Sequence, residues 1–261
     1  MSSISPTLGR LLASGKEAQA FEFGGRVVKL FRPSAAKDAA FREAANMALA
    51  GRAGLPTPQV FGVECFDGRW GIVMSRAAGP SFAEAIRTAS EMAPAYLKAM
   101  ALLHLRAHTC LGVHFAGLKA RLEAHIRRAT ILGEATQARL LGDLAARPDG
   151  DRLCHGDFHL SNILGPIDRP ILLDWLDACS GDPAADVCRS YVLMKKSTPE
   201  IASAYVAQYA AIGGKSVSEI LSWLPLVAAA RLAEGARDET AGLLEMAVST
   251  VSDSGAESSR Q

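Results

Sequence analysis

Apolar and polar residues alternate near the start of the chain, and the alternation predicts three short strands. The runs LGRLLA, AQAFEF and RVVKLF (residues 8–13, 18–23 and 26–31) are separated by Ser14-Gly15-Lys16-Glu17 and by Gly24-Gly25. A glycine pair between two alternating runs is a hairpin signal, and Pro33 ends the third run. Residues 35–54, AAKDAAFREAANMALAGRAG, then have helical composition. Ala39, Phe41, Ala45, Met47 and Leu49 can supply its apolar face, and Gly51 and Gly54 close it. Residues 57–77 predict two more strands around the Asp67-Gly68 turn.

The pattern then changes to a helical period. Ser81-x-x-Glu84 forms a capping box. Residues 93–108, APAYLKAMALLHLRAH, repeat apolar side chains at helical spacing, and 118–145 predict helix up to the break at RPDGD. Short apolar runs surround CHGDFHLSNIL (154–164), with Gly165-Pro166 as a turn. Asp182 suits an N-cap and Pro183 the first helical position, after which the chain reads as helical to about 248. The polar stretch 249–261 is expected to be a disordered tail. The expected organisation is α+β with two lobes. A small β-rich N-terminal lobe with one helix (1–76) precedes a larger α-rich C-terminal lobe (77–248).

Composition narrows the function classes. The 261 residues are 49% hydrophobic and 21% charged, ordinary for a globular protein. Lys and Arg total 28 against 27 Asp and Glu, a balance that gives no electrostatic reason to expect nucleic acid or a membrane surface as partner. Five scattered Cys fit reduced thiols, and no apolar run approaches a membrane span or a secretory leader. The expected location is cytoplasmic.

The chemistry concentrates in 154–190. Asp157 is followed by Asn162 five residues on, and by Asp174 twelve residues later, after the apolar run ILL. Such spacing places polar groups at the ends of short buried strands. Transfer of a γ-phosphoryl group needs positioning and charge neutralisation rather than covalent help. One carboxylate accepts the acceptor's hydroxyl proton, and Asp157 is the candidate. Mg²⁺ takes a few hard oxygen ligands shared with the phosphates. Asn162 and Asp174 offer them.

HGDFHLSN followed by LLDWLDACSGDPAAD resembles the aminoglycoside phosphotransferase family, within the protein-kinase-like fold. The resemblance covers about 8–248 and is strongest over 154–190. It implies ATP and Mg²⁺ as cofactors and a small-molecule hydroxyl as acceptor. It also implies a strand lysine that contacts the phosphates and pairs with a helix glutamate. Lys29 and Glu43, fourteen residues apart, match those positions. Ser14 and Gly15 stand where the phosphate-covering turn belongs, although the glycine-rich pattern is reduced to one glycine. Met74 and Arg76 fall where the adenine hinge would lie.

Each residue taken alone has a plainer explanation. Lys29 would be a solvated strand lysine, Glu43 an exposed helix residue, and Asp157 and Asn162 turn formers. Their joint order and spacing favour the functional set. His155 is expected to hold its loop by a hydrogen bond. His159 stands where protein kinases place a lysine, and either approaches the transferred phosphate or is a satisfied loop histidine. A zinc site built on Cys154, His155 and His159 with Cys179 or Cys188 is rejected because the spacing forms no paired ligand units. The absence of an Ala-Pro-Glu segment after Asp174 argues against a protein acceptor. A non-catalytic nucleotide-binding module is the alternative, but it is disfavoured while Lys29, Asp157 and Asp174 are all present. Glu234, Asp238, Glu239 and Glu245 make 231–247 locally acidic. Glu234 and Asp238 would attract an amine-bearing acceptor if they face the site; the plainer expectation is a solvated helix face.

Overall fold

The computed structural model describes residues 8–35, 37–235 and 237–249. The part of the expected tail beyond Ser249 lies outside them. The chain divides into two compact units. One holds the residues up to Cys110 together with His155–Ala178, the other Leu111–Cys154 and the chain from Cys179 onward. A β-rich sheet early in the chain is followed by mainly helical structure, the expected α+β arrangement.

The first unit is built on β1 (Leu11–Ser14), β2 (Ala18–Phe23), β3 (Arg26–Phe31), α1 (Lys37–Arg52), β4 (Val60–Phe66) and β5 (Arg69–Met74). The five strands form an antiparallel sheet in the order β1-β2-β3-β5-β4. Gly24 and Gly25 (φ 53° and 80°) and Asp67 and Gly68 (φ 47° and 80°) close two hairpins in the left-handed turn conformation that suits the twist of the strands. β3 is the central strand, and Lys29 stands on it opposite Ala20 of β2 and Ile72 of β5.

α1 forms where expected but buries a different face. Ala40, Glu43, Ala44, Asn46, Met47 and Ala50 are inside, whereas Phe41 is 46% exposed and Ala45 is outside as well. Of the expected face only Met47 is fully buried. Phe41 packs against Trp70 of β5 with ring centroids 5.5 Å apart, and Lys37 lies over that indole. Trp70 stands two residues before Ile72, the cross-strand partner of Lys29, so Phe41 packs on the same face of the sheet as the Lys29–Glu43 pair. The face turned inward combines small residues with two polar ones.

The same unit continues with α2 (Phe82–Thr88) and α3 (Ala93–Thr109). The capping box forms: Ser81 Oγ accepts from the Glu84 N–H at 3.2 Å, and the Ser81 N–H donates to the Glu84 carboxylate at 2.8 Å. α3 buries Leu97, Met100, Leu103 and His104, and the His104 ring stacks on Phe158 at 3.8 Å. Ile163–Leu164 pairs with Ile171–Leu172 in a short antiparallel hairpin. The candidate residues Asp157, Asn162 and Asp174 flank this hairpin in the sequence.

The second unit contains a three-stranded sheet of Ala116–Gly117, Arg152–Cys154 and Cys179–Gly181, and seven helices among its described residues. These are α4 (Leu118–Arg128), α5 (Glu134–Ala146), α6 (Pro183–Lys195), α7 (Pro199–Gly213), α8 (Val217–Leu221), α9 (Leu224–Leu232) and α10 (Thr240–Val248). The region expected to be helical over 118–145 is two helices, interrupted where Gly133 takes φ 71°. Asp182 caps α6 by accepting from the Ala184 N–H at 2.8 Å. No described helix is long and apolar enough to cross a membrane.

Candidate functional site

Three charged groups from distant parts of the chain meet in the first unit. Lys29 Nζ donates to Glu43 Oε1 at 2.8 Å and to Asp174 Oδ1 at 2.9 Å. The Lys29 side chain is 15% exposed, Glu43 0% and Asp174 38%. Burial opposes the charge on Lys29, but the carboxylates of Glu43 and Asp174 outweigh it and raise its pKa. The lysine is therefore held as a cation. Burial pushes the Glu43 carboxyl up to about 7 against the pull of Lys29, and its Oε2 is buried without a hydrogen-bond partner. Asp174, the most open member, presents a carboxylate beside a fixed cation.

The second group is Asp157 with Asn162. Asn162 Nδ2 donates to Asp157 O at 2.9 Å and to Asp157 Oδ2 at 3.0 Å. The loop that carries them turns at Gly156, whose φ of 78° suits a residue without Cβ. His155 is fully buried and ties this loop to the strand before Asp174. The Asp157 N–H donates to His155 Nδ1 at 3.2 Å, so Nε2 carries the proton and donates to Leu173 O at 3.0 Å. The Leu173 N–H donates to Asn162 O at 2.8 Å. His155 thus holds the loop by hydrogen bonds. His159 Nδ1 accepts from the Ser161 N–H at 3.3 Å, and its Nε2 lies 3.5 Å from Asp157 Oδ2.

The other expected residues have their recorded partners elsewhere in the same unit. Arg32 braces the turn after β1, donating to Ser14 Oγ at 3.1 Å and to Gly15 O at 3.0 Å. The Gly15 N–H is itself engaged with Ala18 O at 2.8 Å, inside the turn. Met74 ends β5 and is buried, while Arg76 Nη1 donates to Glu22 Oε1 at 3.0 Å. Sequence reasoning missed Arg32 and also Asn46, which donates to Trp175 O at 2.9 Å. The available signal for Asn46 was its place three residues after Glu43, on the face that Ala40, Ala44, Met47 and Ala50 mark as inward.

The donor set suits a hard divalent cation. Asn162 spends its amide hydrogens on Asp157, which leaves its carbonyl oxygen as the acceptor end, and Asp174 adds a half-open carboxylate. Sulfur and imidazole ligands, which select softer metals, have no place in this pair.

Glu234 in the acidic stretch of the second unit is committed internally, which corrects both expectations for that residue, whereas Asp238 and Glu245 are exposed, as a solvated face would be. Glu234 Oε1 is 2.7 Å from Arg189 Nη1 and Glu234 Oε2 is 2.7 Å from Arg231 Nη1, while Asp238 pairs with Lys196. Glu234 is mostly buried at 17% exposure, so it is neither a solvated face nor a negative charge offered to an amine. Burial alone would raise its pKa, but Arg189, His125 and Arg231 override that and hold the carboxyl well below its usual range. Glu234→Gln strands Arg189, itself only 7% exposed, and is expected to cost roughly 3 kcal/mol in denaturant unfolding at neutral pH. A depressed folded pKa means this stability is complete above the unfolded value of 4.5 and is lost as pH falls below it. The gap between variant and wild type should therefore narrow on acidification. A gap that widens would contradict the ion-pair account.

Comparison with known proteins shows the family and the fold. The model of the phosphotransferase enzyme family matches residues 9–220. No curated protein sequence matches the chain. Among solved structures, a thermostable mutant of aminoglycoside phosphotransferase APH(4)-Ia, in ternary complex with ADP and hygromycin B, superposes with a TM-score of 0.69 at 17% identity. It covers 94% of this chain and 95% of its own. An aminoglycoside-3'-phosphotransferase of type VIII gives 0.61 at 21% identity over 88% and 93%. The streptomycin–ATP complex of APH(2")-IIa gives 0.62 at 16% over 92% and 93%. These likenesses establish the kinase-like fold.

Proposed function

The chain belongs to the phosphotransferase enzyme family, and from that premise we propose that it moves the γ-phosphoryl group of ATP to a hydroxyl of a small molecule. The observation that carries this reading is the convergence of Lys29, Glu43 and Asp174 beside a loop that fixes Asp157 against Asn162. Such a set supplies what phosphoryl transfer needs: a fixed cation for the phosphates, hard ligands for a metal, and a carboxylate base.

In this reading residues 1–76 form the nucleotide lobe and 77–248 the catalytic and acceptor lobe. Lys29, kept charged by its two carboxylates, holds the phosphates as a point charge. Glu43 fixes the lysine. The braced turn at Ser14 and Gly15 covers the phosphates, and Met74 and Arg76 flank the adenine. Asn162 and Asp174 would hold Mg²⁺, which would supply neutralisation of phosphate charge. Asp157 accepts the proton of the attacking hydroxyl, and Asn162 holds its Oδ2 in place. All these groups lie on chain expected in the cytoplasm. The acceptor is an aminoglycoside-like compound or an amino alcohol or sugar metabolite, classes that share the chemistry and differ only in a local pocket.

ATP consumption measured across a panel of aminoglycosides and hydroxylated metabolites, with Mg²⁺ present, tests this reading. Stoichiometric ADP formation with one acceptor class, and none when Mg²⁺ is chelated, is the expected result. ATP binding without turnover on any acceptor would favour the non-catalytic module instead.

A further inference from the structure

Asn46 is a buried amide, 8% exposed, on a helix face otherwise made largely of alanine. A polar group in that place is tolerated when it is hydrogen-bonded. Its partner lies 129 residues away: Nδ2 donates to Trp175 O at 2.9 Å. One turn earlier on the same face, Glu43 holds Lys29, and Lys29 holds the Asp174 carboxylate. α1 therefore reaches both sides of the Asp174–Trp175 peptide. It reaches the carboxylate through Glu43 and Lys29, and the following carbonyl through Asn46.

Between these two contacts Asp174 stands at φ 63°. Residues other than glycine adopt this left-handed conformation uncommonly, and it persists where the surroundings impose it. Two further bonds at the turn are local. Trp175 Nε1 donates to Leu172 O at 3.0 Å, and the Ala178 N–H also donates to Trp175 O, at 3.2 Å. The Trp175 indole is buried and packs edge-on to His155 at 4.7 Å, which fixes the ring. Asn46 is the side chain from α1 that fixes the carbonyl.

The structure assigns Asn46 a positioning role for the metal site: its amide pins the carbonyl after Asp174 and so holds that residue in the turn that aims its carboxylate. This role presupposes that Asp174 is the metal ligand. Asn46 touches no reacting atom. Its loss should act on the metal-dependent part of nucleotide binding and leave the rest intact. A helix that carries both Glu43 and Asn46 also couples the phosphate lysine to the metal carboxylate. A shift of α1 would disturb the two together.

The test uses full-length Asn46→Leu, which keeps most of the side-chain volume and removes the donor, with Asn46→Ser as a second variant if the first does not fold. ADP affinity is measured by calorimetry with and without Mg²⁺, and folding is followed by Tm. Loss of one buried hydrogen bond should cut the Mg²⁺-dependent gain in ADP affinity by about tenfold, leaving metal-free ADP affinity unchanged. A folded variant with the wild-type Mg²⁺ gain, or one that loses metal-free and metal-dependent affinity equally, overturns the positioning role. Asp174→Ala is measured alongside. If it retains the whole Mg²⁺ gain, the metal assignment itself is wrong. If it loses the gain while Asn46→Leu keeps it, only the role of Asn46 falls.

Discussion

Asp157→Ala is expected to lower kcat on the true acceptor by roughly 10²–10⁴-fold, the range for loss of a positioned general base, while ATP binds within a few-fold of wild type. The expectation follows from how the loop is held. Asn162 donates to the backbone carbonyl of residue 157 as well as to the carboxylate. His155 receives the Asp157 N–H and donates to Leu173 O. These backbone contacts survive removal of the side chain, so the loop should stay folded and Tm should barely move. What disappears is the carboxylate proposed to take the hydroxyl proton. Asp157→Asn keeps the shape and one oxygen but loses the basicity, and it should be nearly as slow. A variant at position 157 with kcat within tenfold of wild type would remove Asp157 from the mechanism.

Lys29→Met is expected to lower kcat/KM for ATP by roughly 10²–10³-fold, comparable to deleting one preorganised donor from a charge-stabilising site. Its effect on stability should be smaller than loss of a buried cation usually implies. Removing one partner of a buried pair typically strands the other charge, and here the stranded groups are Asp174, 38% exposed and open to water, and Glu43, 0% exposed. Burial already pushes the Glu43 carboxyl up to about 7 even with the lysine present. Without Lys29 it is expected to take a proton at neutral pH and to become neutral. Lys29→Met with Glu43→Gln should therefore be little less stable than Lys29→Met alone, and no more active. Steady-state kinetics and denaturant unfolding of the two single variants and the double variant measure this. A Lys29→Met enzyme with an unchanged KM for ATP and an unchanged kcat would show that the phosphates are held elsewhere.

The hairpins were legible because their signal is local. An alternating run, a Gly-Gly or Asp-Gly pair and a second alternating run specify β2–β3 and β4–β5 without reference to the rest of the chain. The capping box at Ser81 and the cap at Asp182 were legible for the same reason. The inward face of α1 was not. The helix is rich in alanine, so its apolar contrast is weak. Phe41, its largest apolar residue, stays 46% exposed while it packs against Trp70. The face it really buries carries Glu43, which pairs with Lys29 of β3, and Asn46, whose partner Trp175 lies far along the chain. The same limit explains Glu234. The local excess of acid in 231–247 was visible, but Arg189, which takes up that carboxylate, comes 45 residues earlier. Charge read along the chain says little about where a charge ends up when its partner arrives from another helix. The spacing of Asp157, Asn162 and Asp174 was readable because it is set by one short hairpin, Ile163–Leu164 with Ile171–Leu172, that folds back beside the loop.

The central claim is that this set of side chains binds a nucleotide through a divalent metal, and ATP affinity with and without Mg²⁺ tests it most directly. Titration of wild type, Asp157→Ala and Asp174→Ala with ATP should show Mg²⁺ tightening binding in the first two and not in the third. Equal ATP affinity in all three proteins, whether Mg²⁺ is present or chelated, would contradict it.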